Sequence, residues 1–135
     1  MRPIETYDPD TAVLANYPFG ATGTVKSWQP LGATDPASLG AGVCEYKGVF
    51  EWDLHYEAVY YMISGSLTVI DEDGEHTVRP GQIMTIPKGS RGRYVSPKGC
   101  RLFWAIVPGN REQISDFSIN GPADGEARAL PGGPS

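Results

Sequence analysis

The sequence predicts an all-β, single-domain protein with the architecture of a jelly roll or a small β-barrel. Its 135 residues include 17 glycines and 12 prolines, which fall between short runs of β-branched and aromatic residues, as in a chain of short strands. This length suffices for one domain with a core and is too short for two. Small antiparallel barrels commonly hold a small molecule at their mouth.

The positions of these glycines and prolines predict each element. Residues 1–40 are rich in Pro, Gly and Asp, with weak strand candidates at 11–17 and 23–29, so we expect an extended N-terminal arm that packs on the barrel or on a partner subunit. Residues 41–120 are the predicted barrel. Residues 111–117 are its helix candidate, and residues 121–135 are a predicted flexible tail. The predicted barrel strands are 41–47, 50–56, 58–64, 66–72, 75–80, 82–87, 91–97 and 100–108.

One predicted hairpin has a specific turn signal. Asp73-Gly74 lies between two alternating runs, and a type I′ turn needs the positive φ angles that these residue types tolerate.

Composition and charge exclude several classes of protein. The net charge is -5 and the 11 basic residues are scattered along the chain, so we expect no nucleic-acid partner. No stretch approaches the roughly 18 apolar residues of a membrane span, and the N-terminus lacks the apolar segment of a signal peptide. We therefore expect a soluble, cytoplasmic protein without a membrane partner. Cys44 and Cys100 are predicted to be buried thiols.

Two segments carry a resemblance to the cupin superfamily: 81-GQIMTIPKG-89, and the strand pair that turns at Gly65. In metal-binding cupins the first part of this signature supplies two histidines and a glutamate, and the second supplies a third histidine. Aligned from Gly65 and Gly89, these four positions hold residues that cannot bind a metal, namely Trp52, Leu54, Ala58 and Gly92. We therefore expect neither a metal nor another cofactor in the barrel.

An irregular metal site is the alternative. His55 and Glu57 face outward if the side chains alternate regularly, because successive residues of a strand point to opposite faces. A β-bulge near Tyr56 would reverse this register and turn both side chains into the barrel. With only two histidines in the chain, a three-histidine site is impossible.

A longer pattern, covering about residues 38 to 110, resembles the ethanolamine-utilisation Q-type (EutQ) cupins. It consists of 39-LGAGVCEYKGVFEWDLHYEAVYYMISGSL-67, 79-RPGQIMTIPKGS-90 and 101-RLFWAIVP-108. These cupins have a Trp-x-Leu-x-Tyr strand in place of the histidine pair. The Asp-Glu pair that usually follows the tyrosine is Glu57-Ala58 here. The resemblance implies a cupin fold. It also implies an acetate kinase activity, for which the chain offers no glycine-rich phosphate loop with a lysine.

Strand alternation predicts an aromatic pocket with one acid and one amine. We expect Glu45 as general acid or base, since desolvation raises the pKa of a carboxylate, and Tyr56 or Tyr60 as hydrogen-bond donor to a developing oxyanion. In the alternative, Glu45 and Lys47 form an ion pair and the aromatic residues are core. From the last strand, either Phe103 and Ala105 or Leu102, Trp104 and Ile106 face inward. The predicted substrate-binding residues are Lys47, Trp52, Leu54, Met62 and Trp104.

Three functions fit these observations. The first is a metal-independent enzyme that performs acid–base chemistry, of isomerase, cyclase, lyase or decarboxylase type, on a small organic molecule. The second is a non-catalytic small-molecule-binding cupin or an accessory protein of a catabolic assembly. The third is a metal-dependent cupin with the irregular site. Val59, Tyr61 and Ile63 form a face too apolar for solvent, so we expect the arm or a second subunit to cover it, and we expect a homodimer through this face.

Overall fold

A computed structural model describes residues 3–17, 23–32 and 39–109 of the chain. Apart from a short 3-10 helix at Pro9–Thr11, its regular elements are all strands, which confirms the predicted all-β class. The predicted helix at 111–117 and the tail at 121–135 lie outside the described residues. No helix within the described ranges is long and apolar enough to span a membrane. The strands are β1 (Ala15–Tyr17), β2 (Gly23–Leu31), β3 (Gly40–Asp53), β4 (Glu57–Gly65), β5 (Leu67–Asp71), β6 (Gly74–Val78), β7 (Ile83–Ile86) and β8 (Arg91–Val107).

All strand pairs are antiparallel, and they follow the order β1-β2-β3-β8-β4-β7, with β5 bridging β6 and β8. The 17-residue strand β8 holds the fold together because it pairs with β3, β4 and β5. Two pairs of predicted strands are each one continuous strand. The predicted strands 41–47 and 50–56 belong to β3, except for residues 54–56 just beyond its end, and 91–97 and 100–108 belong to β8, except for Pro108 just beyond its end. The segment predicted as an arm contributes β1 and β2, which extend the sheet beyond β3.

A bulge bends β8 where the curved sheet changes direction. Tyr46 pairs with Cys100 and Gly48 pairs with Ser96, so β8 has two more residues than β3 in this interval. Such insertions increase local twist and bend the strand. Both glycines at the bend, Gly48 and Gly99, have positive φ angles, of 104° and 89°.

The β5–β6 hairpin confirms the predicted turn, shifted by one residue. Asp71 pairs with Gly74, so the two loop residues are Glu72 and Asp73 rather than Asp73 and Gly74. Gly74 follows the loop with a φ of 125°. The Asp71 carboxylate accepts a hydrogen bond from the Asp73 backbone N–H at 2.9 Å, which tightens the turn.

The core consists of the even-numbered side chains of β3 and β4 and of the residues that pack against them. Leu54, Tyr56 and Ala58 are all buried, so the alternation continues through the bend between the two strands. Cys44 and Cys100 are free and buried, as predicted. The core residues are Val25, Cys44, Tyr46, Phe50, Trp52, Leu54, Tyr56, Ala58, Tyr60, Met62, Leu67, Val69, Val78, Ile86, Tyr94, Cys100, Leu102, Trp104 and Ile106.

The Gly-Ala-Gly sequence that opens β3 allows close packing. A Cβ atom added to Gly42 would lie 2.8 Å from Cζ2 of Trp104, and one added to Gly40 would lie 2.7 Å from the Cα of Gly109. Both distances are shorter than van der Waals contact, so these positions need glycine.

Truncating a core residue of β8 should destabilise the fold strongly. Leu102 is fully buried, so we expect Leu102→Ala to lower the free energy of unfolding by about 2–5 kcal/mol through lost burial and the cavity left behind. Val107→Ala, on the exposed side of the same strand, should change it by less than about 0.5 kcal/mol. Urea denaturation measures both. Equal losses in the two variants would contradict this assignment of inside and outside.

Candidate functional site

The centre of the barrel is an aromatic cluster that we call the tyrosine cluster: Tyr46, Trp52, Tyr56, Tyr60 and Tyr94. Tyr94 lies in its middle. Its ring centroid is 5.7 Å from that of Trp52, 6.0 Å from that of Tyr46 and 6.4 Å from that of Tyr60. The two tyrosine contacts are edge-to-face, an arrangement that stabilises aromatic pairs beyond the area they bury.

The phenol groups of this cluster are hydrogen-bond donors rather than bases. The hydroxyl oxygens of Tyr60 and Tyr94 lie 3.2 Å apart and share a hydrogen bond. Burial is the largest cause that raises the pKa of Tyr46, Tyr60 and Tyr94 above the usual 10.0. The neighbouring phenols raise the pKa of Tyr46 and Tyr94 further, whereas the hydrogen bond with Tyr94 lowers that of Tyr60 in part. These groups therefore stay protonated at physiological pH.

The interior itself has almost no free volume. The cavity beside the tyrosine cluster measures about 10 Å³, which is room for about one water molecule. Ser27, Cys44, Trp104 and Ile106 are among its lining residues, together with Tyr46, Tyr56 and Tyr60. A bound organic molecule would not fit here unless the aromatic side chains moved.

A much larger opening lies between the β5–β6 hairpin and β7; we call it the mouth groove. Within the described strands β6 pairs with β5 and β7 pairs with β4, so the barrel is open between β6 and β7. The groove has a volume of about 1070 Å³. Its floor is formed by buried residues, and charged side chains stand at its rim. The floor includes Leu54, Val69, Val78, Ile86 and Tyr94, and the rim includes Asp71, Asp73, His76, Lys88 and Arg91.

The positions that correspond to metal ligands in metal-binding cupins are buried or line the mouth groove. Trp52, Leu54 and Ala58 are buried, and Trp52 pairs directly with Gly92 across β3 and β8. Gly92 also lines the mouth groove. Aromatic and aliphatic side chains thus occupy the centre of the barrel at these positions.

Six of the predicted pocket residues face inward, and the structure determines which side chains of β8 face the core. Trp52, Leu54, Tyr56, Tyr60, Met62 and Trp104 are all buried in the core. Leu102, Trp104 and Ile106 face inward, while Phe103 is exposed. The catalytic or substrate-binding roles of these residues stay predictions.

The predicted inward orientation of Glu45 and Lys47 is wrong. Because β3 is one continuous strand, the alternation that places Trp52 inside also places Cys44 and Tyr46 inside. Glu45 is only partly buried and Lys47 is exposed, and both line a separate pocket on the outer face. No salt bridge joins them in the described part of the chain, so the alternative ion pair is not formed either.

His55 and Glu57 do not form the irregular metal site. Both side chains are exposed, and the bend at His55–Tyr56 does not shift the alternation. The Glu57 carboxylate instead accepts a hydrogen bond from the backbone N–H of Lys88 at 2.9 Å, which ties β4 to the loop before β8. Among residues 3–17, 23–32 and 39–109, no group of three or more His, Cys, Asp or Glu side chains could hold a metal.

Sequence reasoning missed Tyr46 and Tyr94. Alternation over an uninterrupted β3 would have indicated Tyr46, but Gly48 suggested a break between two strands. The inward position of Gly92 would have indicated Tyr94, two residues further along β8.

Comparison with known proteins gives one family and one fold. The sequence model of the family described as ethanolamine utilisation protein EutQ matches residues 24–113. Acetate kinase EutQ of Clostridioides difficile (strain 630) is 32% identical over 71 residues, which are 52% of this chain and 45% of that protein. This chain therefore spans less than half the length of that relative.

Two solved structures share the fold. The structure of the Clostridium difficile EutQ protein has a TM-score of 0.60 and 27% identity, covering 65% of this chain and 71% of the other. A cupin-2 domain protein of Shewanella frigidimarina has a TM-score of 0.50 and 17% identity, covering 58% and 76%. The predicted cupin jelly-roll fold is confirmed.

The tyrosine cluster should make stability depend on alkaline pH. Since the folded-state pKa values of Tyr46, Tyr60 and Tyr94 are raised, the unfolded chain ionises first, and the stabilisation is present below pH 10.0 and lost as pH rises above it. In a pH titration that follows tyrosinate absorbance, we expect the last tyrosinates to form only as the β-sheet circular dichroism is lost. We expect Tyr94→Phe to reduce the slope with which the free energy of unfolding falls as pH rises. Full ionisation of all 7 tyrosines with an intact sheet would contradict this.

Proposed function

Because the chain belongs to the family of the ethanolamine utilisation protein EutQ, we propose that it is a cupin domain that binds a small organic molecule in the mouth groove. The observation that carries the proposal is the groove itself. Its volume of about 1070 Å³ is at the upper end of the range of small-molecule sites, and its floor is made of buried core residues.

The groove combines the two properties of a ligand site. Val69 and Met84 offer apolar surface that would desolvate the carbon skeleton of a ligand. The rim offers polar partners: the hydrogen bond from His76 at 3.0 Å lowers the pKa of Asp71, whose carboxylate is therefore an acceptor for a hydroxyl or amino group. Lys88 also lines the groove and would bind an acidic group, and Arg91 would do so on leaving its ion pair with Asp53. A ligand with an apolar body and polar ends matches this distribution.

Binding without catalysis is supported better than general acid–base catalysis by a carboxylate. Glu45, the carboxylate proposed for that role, lies outside the barrel, and the interior cavity is too small for a substrate. We do not propose phosphoryl transfer, the activity in the name of the Clostridioides relative, because the chain has no glycine-rich phosphate loop.

A metal-independent enzyme is the second candidate, and one observation favours it. Tyr94 forms part of the groove floor, and its hydroxyl shares a hydrogen bond with that of Tyr60. These phenols are buried, so a ligand would first have to displace the side chains above them; it would then meet protonated donors for negative charge that develops on a carbonyl oxygen, with Tyr56 next to them.

Filling the groove should abolish binding. Met84 is partly buried and lines the groove, so we expect Met84→Trp to occupy ligand space, whereas Val49→Trp adds the same side chain to β3 outside the groove. Ligand-observed NMR with a set of small alcohols, amines and carboxylic acids measures binding. Compounds that bind the wild type and Val49→Trp but lose affinity at least roughly tenfold in Met84→Trp would support the proposal.

The same screen separates the outcomes. Binders that are unaffected by Met84→Trp, or a complete absence of binders, would refute the groove as a ligand site. In another outcome, the wild type converts a groove ligand to product, and Tyr94→Phe lowers the rate while leaving the affinity unchanged. In that case the groove is the active site of an enzyme.

We also propose that a second copy of the chain covers the outer face of β4, β7 and β8. Tyr61 pairs with both Ile83 and Phe103, so the exposed apolar side chains there are contiguous across three strands. The described parts of the N-terminal segment extend the sheet beyond β3, at its other end, and leave this face open. A twofold axis would bring the same patch of two subunits together. The patch consists of Val59, Tyr61, Ile63, Ile83, Phe103 and Val107.

A charge in the middle of this patch should prevent association. We expect sedimentation velocity to show a wild-type dimer and a Tyr61→Lys monomer, because a buried unpaired lysine opposes contact between two copies. Val13→Lys places the same charge on another exposed valine, outside the patch, and should leave the dimer intact. A wild-type chain that sediments as a monomer would refute the proposal, whether residues 110–135 or nothing covers the patch.

A further inference from the structure

Four basic side chains surround a depression on the outer face of β2, β3 and β8, which we call the basic pocket. Lys26, Lys47, Lys98 and Arg101 line it, together with Thr24, Glu45 and Ser64 among others, and its volume is about 490 Å³. Glu45 and Lys47 point away from the tyrosine cluster, since their neighbours Cys44 and Tyr46 face the core. Lys26 does so as well, since Val25 and Ser27 on either side of it are buried. The basic pocket is therefore a different place from the mouth groove.

The strand register brings these groups together. Lys26 pairs with Glu45, Glu45 pairs with Arg101, and Arg101 pairs with Ser64, which makes one continuous row across four strands. Directly paired residues have Cβ atoms about 4.5–5.5 Å apart, so their functional groups can reach a common ligand. Thr24 and Lys47 form the adjacent pair.

The β8 bulge supplies the remaining cation. Lys98 lies in the insertion between Ser96 and Cys100, and a Cβ added to the following residue, Gly99, would lie 3.8 Å from the Cβ of Lys47. A regular β8 would not have these two additional residues. The bulge thus places an additional lysine beside Lys47 at the edge of the pocket.

The positive charge of the pocket is not neutralised within the described part of the chain. Lys26, Lys47 and Lys98 form no salt bridge there, although acidic residues outnumber basic ones 16 to 11 in the whole sequence. Arg101 contacts Asp10 at 3.4 Å, but that carboxylate is 83% exposed, and such surface pairs are weak. Glu45 is the acidic group among the residues that line the pocket.

From this arrangement we propose that the basic pocket binds the phosphate group of a small phosphorylated molecule. Three ammonium groups, a guanidinium fork and two hydroxyls provide many donors around one place, and a phosphate offers several charged acceptor oxygens. The volume fits a small molecule rather than a lone ion. Asp10 would leave Arg101 when the anion binds.

Inorganic pyrophosphate is the probe for this site. Titration of the full chain at constant ionic strength, followed by calorimetry and by amide NMR shifts, should show saturable binding with shifts at residues 24–26, 45–47 and 98–101. Lys47→Gln combined with Lys98→Gln should weaken binding roughly tenfold or more, since each contact to a charged group is lost. Arg79→Gln combined with Arg93→Gln removes the same charge outside the pocket and should leave binding unchanged.

A gain of affinity is the sharper test. Glu45→Gln removes the carboxylate that repels an anion in the pocket, so it should strengthen pyrophosphate binding several-fold, which a general loss of structure cannot imitate. Unsaturable binding, equal effects of the two double variants, shifts confined to the mouth groove, or weaker binding by Glu45→Gln would each overturn the proposal. Failure here leaves the mouth-groove proposal standing, because the two sites share no lining residue.

Discussion

The unbroken alternation of side chains from Cys44 in β3 to Met62 in β4 is the constraint on which the rest of the structure depends. Every even-numbered position from Phe50 to Met62 is buried, and the intervening positions are partly or fully exposed. An insertion of one residue anywhere in this stretch would exchange the two faces beyond it. The bend at His55–Tyr56 turns the chain without such an insertion, so the aromatic side chains fill the barrel and the charged ones remain outside.

This separation decides what chemistry each part of the molecule can perform. Inside, the polar groups near the centre are mainly phenols, whose raised pKa values keep them as neutral donors. Carboxylates, imidazoles and amines stand at the rim of the mouth groove or in the basic pocket, where solvent reduces the cost of their charge. In the two proposed sites, the edges of the barrel would therefore bind the polar groups of a ligand, while the residues next to the core would contact its apolar part.

The open edge between β6 and β7 leaves a groove along one side of the barrel. Leu54 and Tyr94 lie at the bottom of this groove, but both are almost fully buried, so the groove ends at the core and does not enter it. Of the four positions that correspond to cupin metal ligands, Trp52 contributes a ring and Leu54 an aliphatic side chain, while Ala58 and Gly92 are small. This chain thus has the cupin fold, with an aromatic core beneath the groove.

Much of this could be predicted from the sequence, because it depends on local patterns. Turn residues and alternating runs determined the all-β class and most strand positions, and the spacing from Gly65 correctly indicated that Trp52, Leu54 and Ala58 face inward while His55 and Glu57 do not. What only the tertiary structure decided depends on pairing between distant strands. Whether Gly48 ends a strand or bends one, and therefore whether Glu45 or Tyr46 faces the core, depends on β8 lying alongside β3 for its whole length. The same pairing gathers Lys26, Lys47, Lys98 and Arg101, four residues that the sequence shows only as scattered charges, into one pocket, because strand register is set by contacts between segments far apart in the chain.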